Sequence, residues 1–182
     1  DVGGTRLHLL AHHPTPPVFD GPEDRNGRRN FDEIRFWLDY VQPHNDYIVD
    51  DEGLAGGITA DARFVIAGDF NADPEDGDSR PNAIGQLLSS PAVTNACVPM
   101  SNGARESTLA QGGVNDSQRG DPAADTSDFN DRYTGNLRLD YVIPSSNLEV
   151  SGCGVFWPAP DEPRHALSEV SDHHLVWVDI AW

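Results

Sequence analysis

The chain has 182 residues, 37% of them hydrophobic and 23% charged, a size and balance that suit a single globular domain with a sizeable core. Its net charge is −18 and all 12 basic residues are arginine, which excludes a tight nonspecific grip on a nucleic-acid backbone, because that grip needs a basic surface. An acidic chain suits cation binding and, more readily than a long polyanion, a small phosphorylated substrate.

In chain order, Arg6 to Ala11 reads as a strand that ends in His12-His13-Pro14-Thr15-Pro16-Pro17, where proline density forbids helix and forces an extended path. Phe19 to Asn30 reads as a charged loop, equally a site wall or a solvated surface. Asn30 reads as an N-cap with Glu33 three residues on, opening a helix whose Phe31, Ile34, Trp37, Leu38 and Val41 share a face before Pro43 stops it. Asp46 to Ala60, with three glycines, reads as loop.

Phe64, Val65, Ile66 and Ala67 form a buried strand that Gly68 breaks, with Asp69 and Asn71 following on one side of the strand end. Ala72 to Arg80 is an acidic turn, Asn82 to Leu88 a short helix and Val93 to Val98 a strand. Arg105 to Asn136 reads as a long polar loop, a type that is often functional. Leu137 to Ile143 is a strand containing Asp140, Leu148 to Phe156 another, Pro158 to Ser168 a proline-rich loop, and Leu175 to Trp182 the last strand, opened by Ser171-Asp172-His173-His174. Asp69-Phe-Asn71-Ala-Asp73 begins like a calcium-binding EF-hand loop, but Pro74 stands where the turn glycine belongs and Arg80 where the twelfth-position Glu belongs.

Three polar groups therefore sit in or beside apolar runs: Gly68-Asp69-Phe70-Asn71, Arg138-Leu139-Asp140-Tyr141, and Ser171-Asp172-His173 before Leu175-Val176-Trp177-Val178. Each alone is common; the ordered set is not. It resembles the DNase I-like endonuclease/exonuclease/phosphatase superfamily, whose signatures read Gly-Asp-(Phe/Leu)-Asn, Arg-x-Asp-Tyr and Ser-Asp-His before a strand. The strand ending at His13 is similar to that family's histidine-bearing strand.

The resemblance implies an α/β (α+β) fold, a four-layer sandwich of two packed mixed β-sheets flanked by helices. It also implies that residues 1–182 form a single domain, the C-terminal half to two-thirds of the family domain, here lacking its N-terminal strands. The expected front segment, with an Asn-bearing strand and a metal-binding Glu in a Gln-Glu motif, is then supplied by another chain or has been removed. The implied activity is divalent-metal-dependent hydrolysis of phosphoesters by a nuclease or phosphatase, with Mg²⁺ or Mn²⁺ as cofactor and a phosphorylated small molecule, lipid or nucleic acid as substrate. The alternative is a non-catalytic phosphate- or partner-binding module on the same fold.

By resemblance, Asp69 orients or deprotonates the attacking water and also binds metal. Asn71 donates to a phosphoryl oxygen, His173 contacts the phosphate as the imidazolium, and Asp140 accepts from its other ring nitrogen. Asp172 is a metal ligand or a water-mediated contact, and His13 sits near the leaving group or the phosphate, with His12 the competing assignment. Arg25, Arg28 and Arg29 are candidate phosphate contacts, or else a surface that balances the acidic excess. His8 and His44 read as surface or core fillers, His165 lies in the loop before the site, and His174 should face away from His173. Cys97 and Cys153 read equally as a disulfide or as two buried thiols, and no CxxC pair supports a zinc site. With the acidic charge, the cysteines suggest an extracellular or periplasmic location; no stretch reads as a membrane span.

Overall fold

A computed structural model describes residues 1, 3–43 and 45–181; His44 and the end of the last expected strand at Trp182 lie outside them. The fold is mixed α/β. β1 (Leu7–Ala11) pairs in parallel with β2 (Arg63–Asp69), and α1 (Arg25–Tyr40) lies in the crossover between them. Further on come α2 (Gly85–Leu88), α3 (Asn102–Gln111), β3 (Ser127–Asp128), β4 (Asn136–Leu137), β5 (Asp140–Pro144), β6 (Glu149–Phe156) and β7 (Leu175–Ala181). Among the described residues the strands form three small sheets: β1–β2–β5, β3–β4 and β6–β7.

Phe64, Val65 and Ile66 of β2 are buried, as an apolar run in a central strand demands. Phe64 and Ile66 join Ile34 and Val41 of α1, Phe70, Ile84, Leu87, Tyr141 and Ile143 in the main core. Each such large apolar side chain contributes roughly 1.5–3 kcal/mol by leaving water. β2 also pairs antiparallel with β5, in a register that sets Asp69 directly opposite Asp140. Antiparallel β6 and β7 carry a bulge between Val150 and Gly152, and the Cys97–Cys153 disulfide ties β6 to the loop after α2, closing the choice between bridge and free thiols.

Four expectations need correction. Residues 25–30 are not loop: α1 begins at Arg25, and Asn30 is buried within it rather than capping it. The helix starts early because Asp20 Oδ2 accepts from the first-turn Asn26 and Gly27 amides, satisfying orphan donors and placing a negative charge at the helix N-terminus. Val93 to Val98 is not a strand; Val93 makes only an isolated bridge to Ser145. The stretch 105–136 is not structureless. Ser101 Oγ caps α3 by accepting from the Ala104 amide, and two 3₁₀ turns, Gly113–Ser117 and Pro122–Ala124, lead to β3. Finally, Leu137 to Ile143 is broken at Arg138-Leu139 into β4 and β5.

Candidate active site

The carboxyl end of β2 forms one wall of the site. After Gly68, a side-chain carbon at that position would collide with the His12 carbonyl, so glycine lets β1 and β2 run side by side to their ends. The Asn71 amide donates to Asp69 Oδ1 at 2.7 Å, an Asx turn that pins one carboxylate oxygen and leaves Oδ2 free. Asn71 has φ 49°, a left-handed conformation that asparagine tolerates, and its Nδ2 donates to Pro14 O at 3.2 Å. Phe70, between them, is fully buried against Tyr141 and His12.

Asp140 opens β5 opposite Asp69. Its Oδ2 accepts from His173 Nδ1 at 2.9 Å and from Thr126 Oγ1 at 2.7 Å. Tyr141, next in the Arg-x-Asp-Tyr run, is an anchor: its hydroxyl reaches Ala72 O and Arg138 O, both at 2.8 Å, while the Arg138 guanidinium lies over its ring. His173 Nε2 then faces Asp69 Oδ2 at 4.0 Å, and His13 Nε2 approaches the same oxygen at 3.5 Å. Asp69, Asp140, His173 and His13 are thus gathered around one carboxylate oxygen.

The electrostatics follow from the contacts. Burial raises the Asp69 carboxyl above its ordinary range, and the negative Asp140 adds to this against the Asn71 amide and the two histidines. The hydrogen bond that His173 Nδ1 donates to Asp140 raises the His173 pKa and favours the imidazolium. Of the two neighbouring histidines, His13 is the one that reaches Asp69. His12 packs between Phe70 and Trp37, its Nε2 is buried without a partner, and burial lowers its pKa to about 4.

The remaining expected residues are not drawn to this point. Arg25, Arg28 and Arg29 are exposed on the first turns of α1, and Arg29 pairs with Glu33 at 3.2 Å. Asp172 is exposed, its carbonyl accepting from the Asp128 amide at 2.8 Å. Among the described residues, Asp69, Asp140 and His173 each offer a ligand atom within 4.8 Å of the others and can hold a metal ion. Carboxylate oxygens suit a hard divalent cation. His173 Nδ1 and Asp140 Oδ2 are already engaged with each other, whereas Asp69 Oδ2 accepts no hydrogen bond.

Residues 5–173 match the model of the Endonuclease/Exonuclease/phosphatase family. The chain belongs to that family. No curated protein and no solved structure matches it. Members of the endonuclease/exonuclease/phosphatase family are generally metal-dependent hydrolases of phosphoesters, and the Asp/Asp/His group here is consistent with that chemistry.

Two residues that build the site escape a reading of the sequence. Thr126 Oγ1 donates to Asp140 and accepts from the Leu139 and Asp140 amides at 3.0 and 2.9 Å, so one buried hydroxyl fixes both the carboxylate and its backbone. Nothing in the polar run Asp125-Thr126-Ser127-Asp128 sets it apart. Asn30 Nδ2 donates to Thr15 O, Phe70 O and Asn71 O at 3.1, 3.0 and 3.3 Å, tying α1 to the segments that carry His13 and Asp69. One turn on, Glu33 Oε2 accepts from the Thr15 amide at 2.6 Å. The Asn-x-x-Glu spacing that suggests a capping box serves as a clamp instead.

Proposed function

We propose that the protein hydrolyses phosphodiester or phosphomonoester bonds with a divalent cation, Mg²⁺ or Mn²⁺. The observation that carries this reading is the His173 ring held between Asp140 at 2.9 Å and Asp69 at 4.0 Å. Asp69, with a raised carboxyl pKa and a free Oδ2, orients the attacking water and takes its proton. His173, kept protonated by Asp140, neutralises charge on the phosphoryl oxygens. Asn71 Nδ2 gives a neutral hydrogen bond to the same group, and His13 stands beside Asp69 on the leaving-group side. Asp69 Oδ2, with Asp140 and His173 close by, would hold the cation, which would supply Lewis-acid polarisation of the phosphoryl group; Asp172, exposed one residue before His173, would contact it through water.

Arg25, Arg28 and Arg29 extend the reading as phosphate contacts, supported by their exposure beside the Glu33–Thr15 tie. The net charge of −18 favours a small or lipid-like substrate over a long polyanion. The disulfide supports an exported protein. Residues 1–182 are taken as one domain built on two packed mixed sheets, with β1–β2–β5 and β6–β7 as strands of those layers.

The test is turnover of nitrophenyl phosphoesters with Mg²⁺ or Mn²⁺. Asp69→Ala should lower the rate by about 10³-fold or more while circular dichroism stays native. Retained activity in that variant would remove Asp69 from the chemistry; calorimetric binding of a phosphate ester without turnover by the parent would instead indicate a binding module.

A further inference from the structure

The stretch Thr126-Ser127-Asp128-Phe129 touches both Asp140 and His173, and its contacts are of two kinds. Its backbone holds the chain around His173. Thr126 O accepts from the His174 amide and the Asp128 amide donates to Asp172 O, both at 2.8 Å, with Ser127 bridged to His173 between them. On its other side the same stretch pairs with β4, where Leu137 O accepts from the Thr126 amide and from Ser127 Oγ, both at 2.9 Å. β3 is therefore the strand between the run that leads into Asp140 and the run that carries His173. The Phe129 ring adds an edge-on contact to the His173 ring, with centroids 5.4 Å apart.

The Thr126 side chain holds the carboxylate. A hydroxyl has one proton to donate and two lone pairs with which to accept. Thr126 is 1% exposed, and its Oγ1 uses all three. The Leu139 and Asp140 amides donate to it at 3.0 and 2.9 Å, and it donates to Asp140 Oδ2 at 2.7 Å. The two amides occupy the lone pairs, so the proton is left for the carboxylate and that bond has only one direction. Asp140 Oδ2 thus accepts from two donors, the Thr126 hydroxyl and His173 Nδ1–H. With the carboxylate held against rotation, the His173 ring presents Nε2 to Asp69 Oδ2. A threonine that only closed the break between β4 and β5 would need to accept from the two amides. It would not need its proton on the carboxylate that orients His173.

We propose that Thr126 is a positioning residue of the site: its hydroxyl fixes the Asp140 carboxylate, and through Asp140 the His173 ring, in the setting that faces Asp69. The effect on turnover rests on the phosphoesterase reading, whereas the effect on the ring does not.

Proton NMR of the unaltered, metal-free protein tests the arrangement directly. The Thr126 hydroxyl proton should exchange slowly and show an Overhauser contact to His173 Nδ1–H, because both protons point at one oxygen. A freely exchanging hydroxyl, or no contact between the two protons, overturns the proposal without any variant and without turnover. Thr126→Val keeps the shape and removes the hydroxyl. It should lower kcat for a nitrophenyl phosphoester by about 10- to 100-fold while KM changes by less than about threefold, and Thr126→Ser should recover most of that loss. In an Asp140→Ala background the same Thr126→Val change should cost less than about threefold, since the hydroxyl acts through the carboxylate. A full-sized loss in that background, or a Thr126→Ser variant as slow as Thr126→Val, assigns Thr126 to the strand break alone and overturns the proposal. Where Thr126→Val does not fold, the Overhauser contact in the unaltered protein decides. If the unaltered protein shows that contact but hydrolyses no phosphoester, the phosphoesterase reading fails and the positioning of His173 by Thr126 stands.

Discussion

Asp140 is the residue on which the site's acid–base behaviour turns. Its hydrogen bond raises the His173 pKa, so the imidazolium persists to higher pH than in a free histidine and is lost as pH rises through that raised value. Activity that depends on the imidazolium should fall on the alkaline side. Asp140→Asn should move that fall toward about pH 6.5 and reduce kcat by about 10²–10⁴-fold. A kcat profile against pH, together with NMR titration of the His173 ring, checks both. Asn30 acts without touching the reacting groups. Asn30→Leu leaves three backbone carbonyls short of a donor and should cost about 3 kcal/mol in urea unfolding. Asp69, Asp140 and His173 were legible in the sequence because a polar residue against an apolar run stands out. Thr126 and Asn30 were not, because what they bind is backbone that only the fold brings near.

At the scale of elements, a polar interior separates the expected loop from the observed α3–β4 region. Thr126, Ser127 and Asn136 are essentially fully buried, and the Asn136 amide donates to Asn115 Oδ1 while its Nδ2 donates to Thr108 Oγ1. A core built on hydrogen bonds carries no apolar period, so the sequence there looks like surface. The strands β1, β2 and β6 and the apolar face of α1 were legible for the opposite reason. Asp125 belongs to this polar core. Burial, with Asp73 nearby, pushes its pKa to about 8. The folded chain therefore holds a proton that the unfolded chain releases from about pH 4 upward, and the stability tied to it is lost as pH rises through about 8. Asp125→Asn keeps the shape and removes the charge. It should be more stable than the parent at about pH 9, by on the order of 2 kcal/mol, and show a flatter dependence from pH about 5 to 9 in urea unfolding.

Across the whole molecule, the disulfide spans a sequence separation of 56 residues and fastens β6 to the segment after α2. Cys97→Ser with Cys153→Ser should lower stability by about 4 kcal/mol through the larger unfolded ensemble, and a reductant should have no further effect on that double variant in urea melts. The cross-strand pairing of Asp69 with Asp140 has a different kind of consequence. Everything from Phe70 to Leu139 is a single excursion of the chain that leaves and returns at neighbouring points of one ladder. Closing a longer excursion costs only slowly more entropy. Insertions or exchanges in its exposed turns, away from the Phe70, Ile84 and Leu87 that pack in the main core, can therefore reshape the rim of the site while the two carboxylates keep their spacing, provided Thr126 still reaches Asp140. By contrast, one residue added to β2 or β5 turns a carboxylate to the other face of the sheet. The excursion is where substrate preference can drift between relatives, and the ladder is where it cannot.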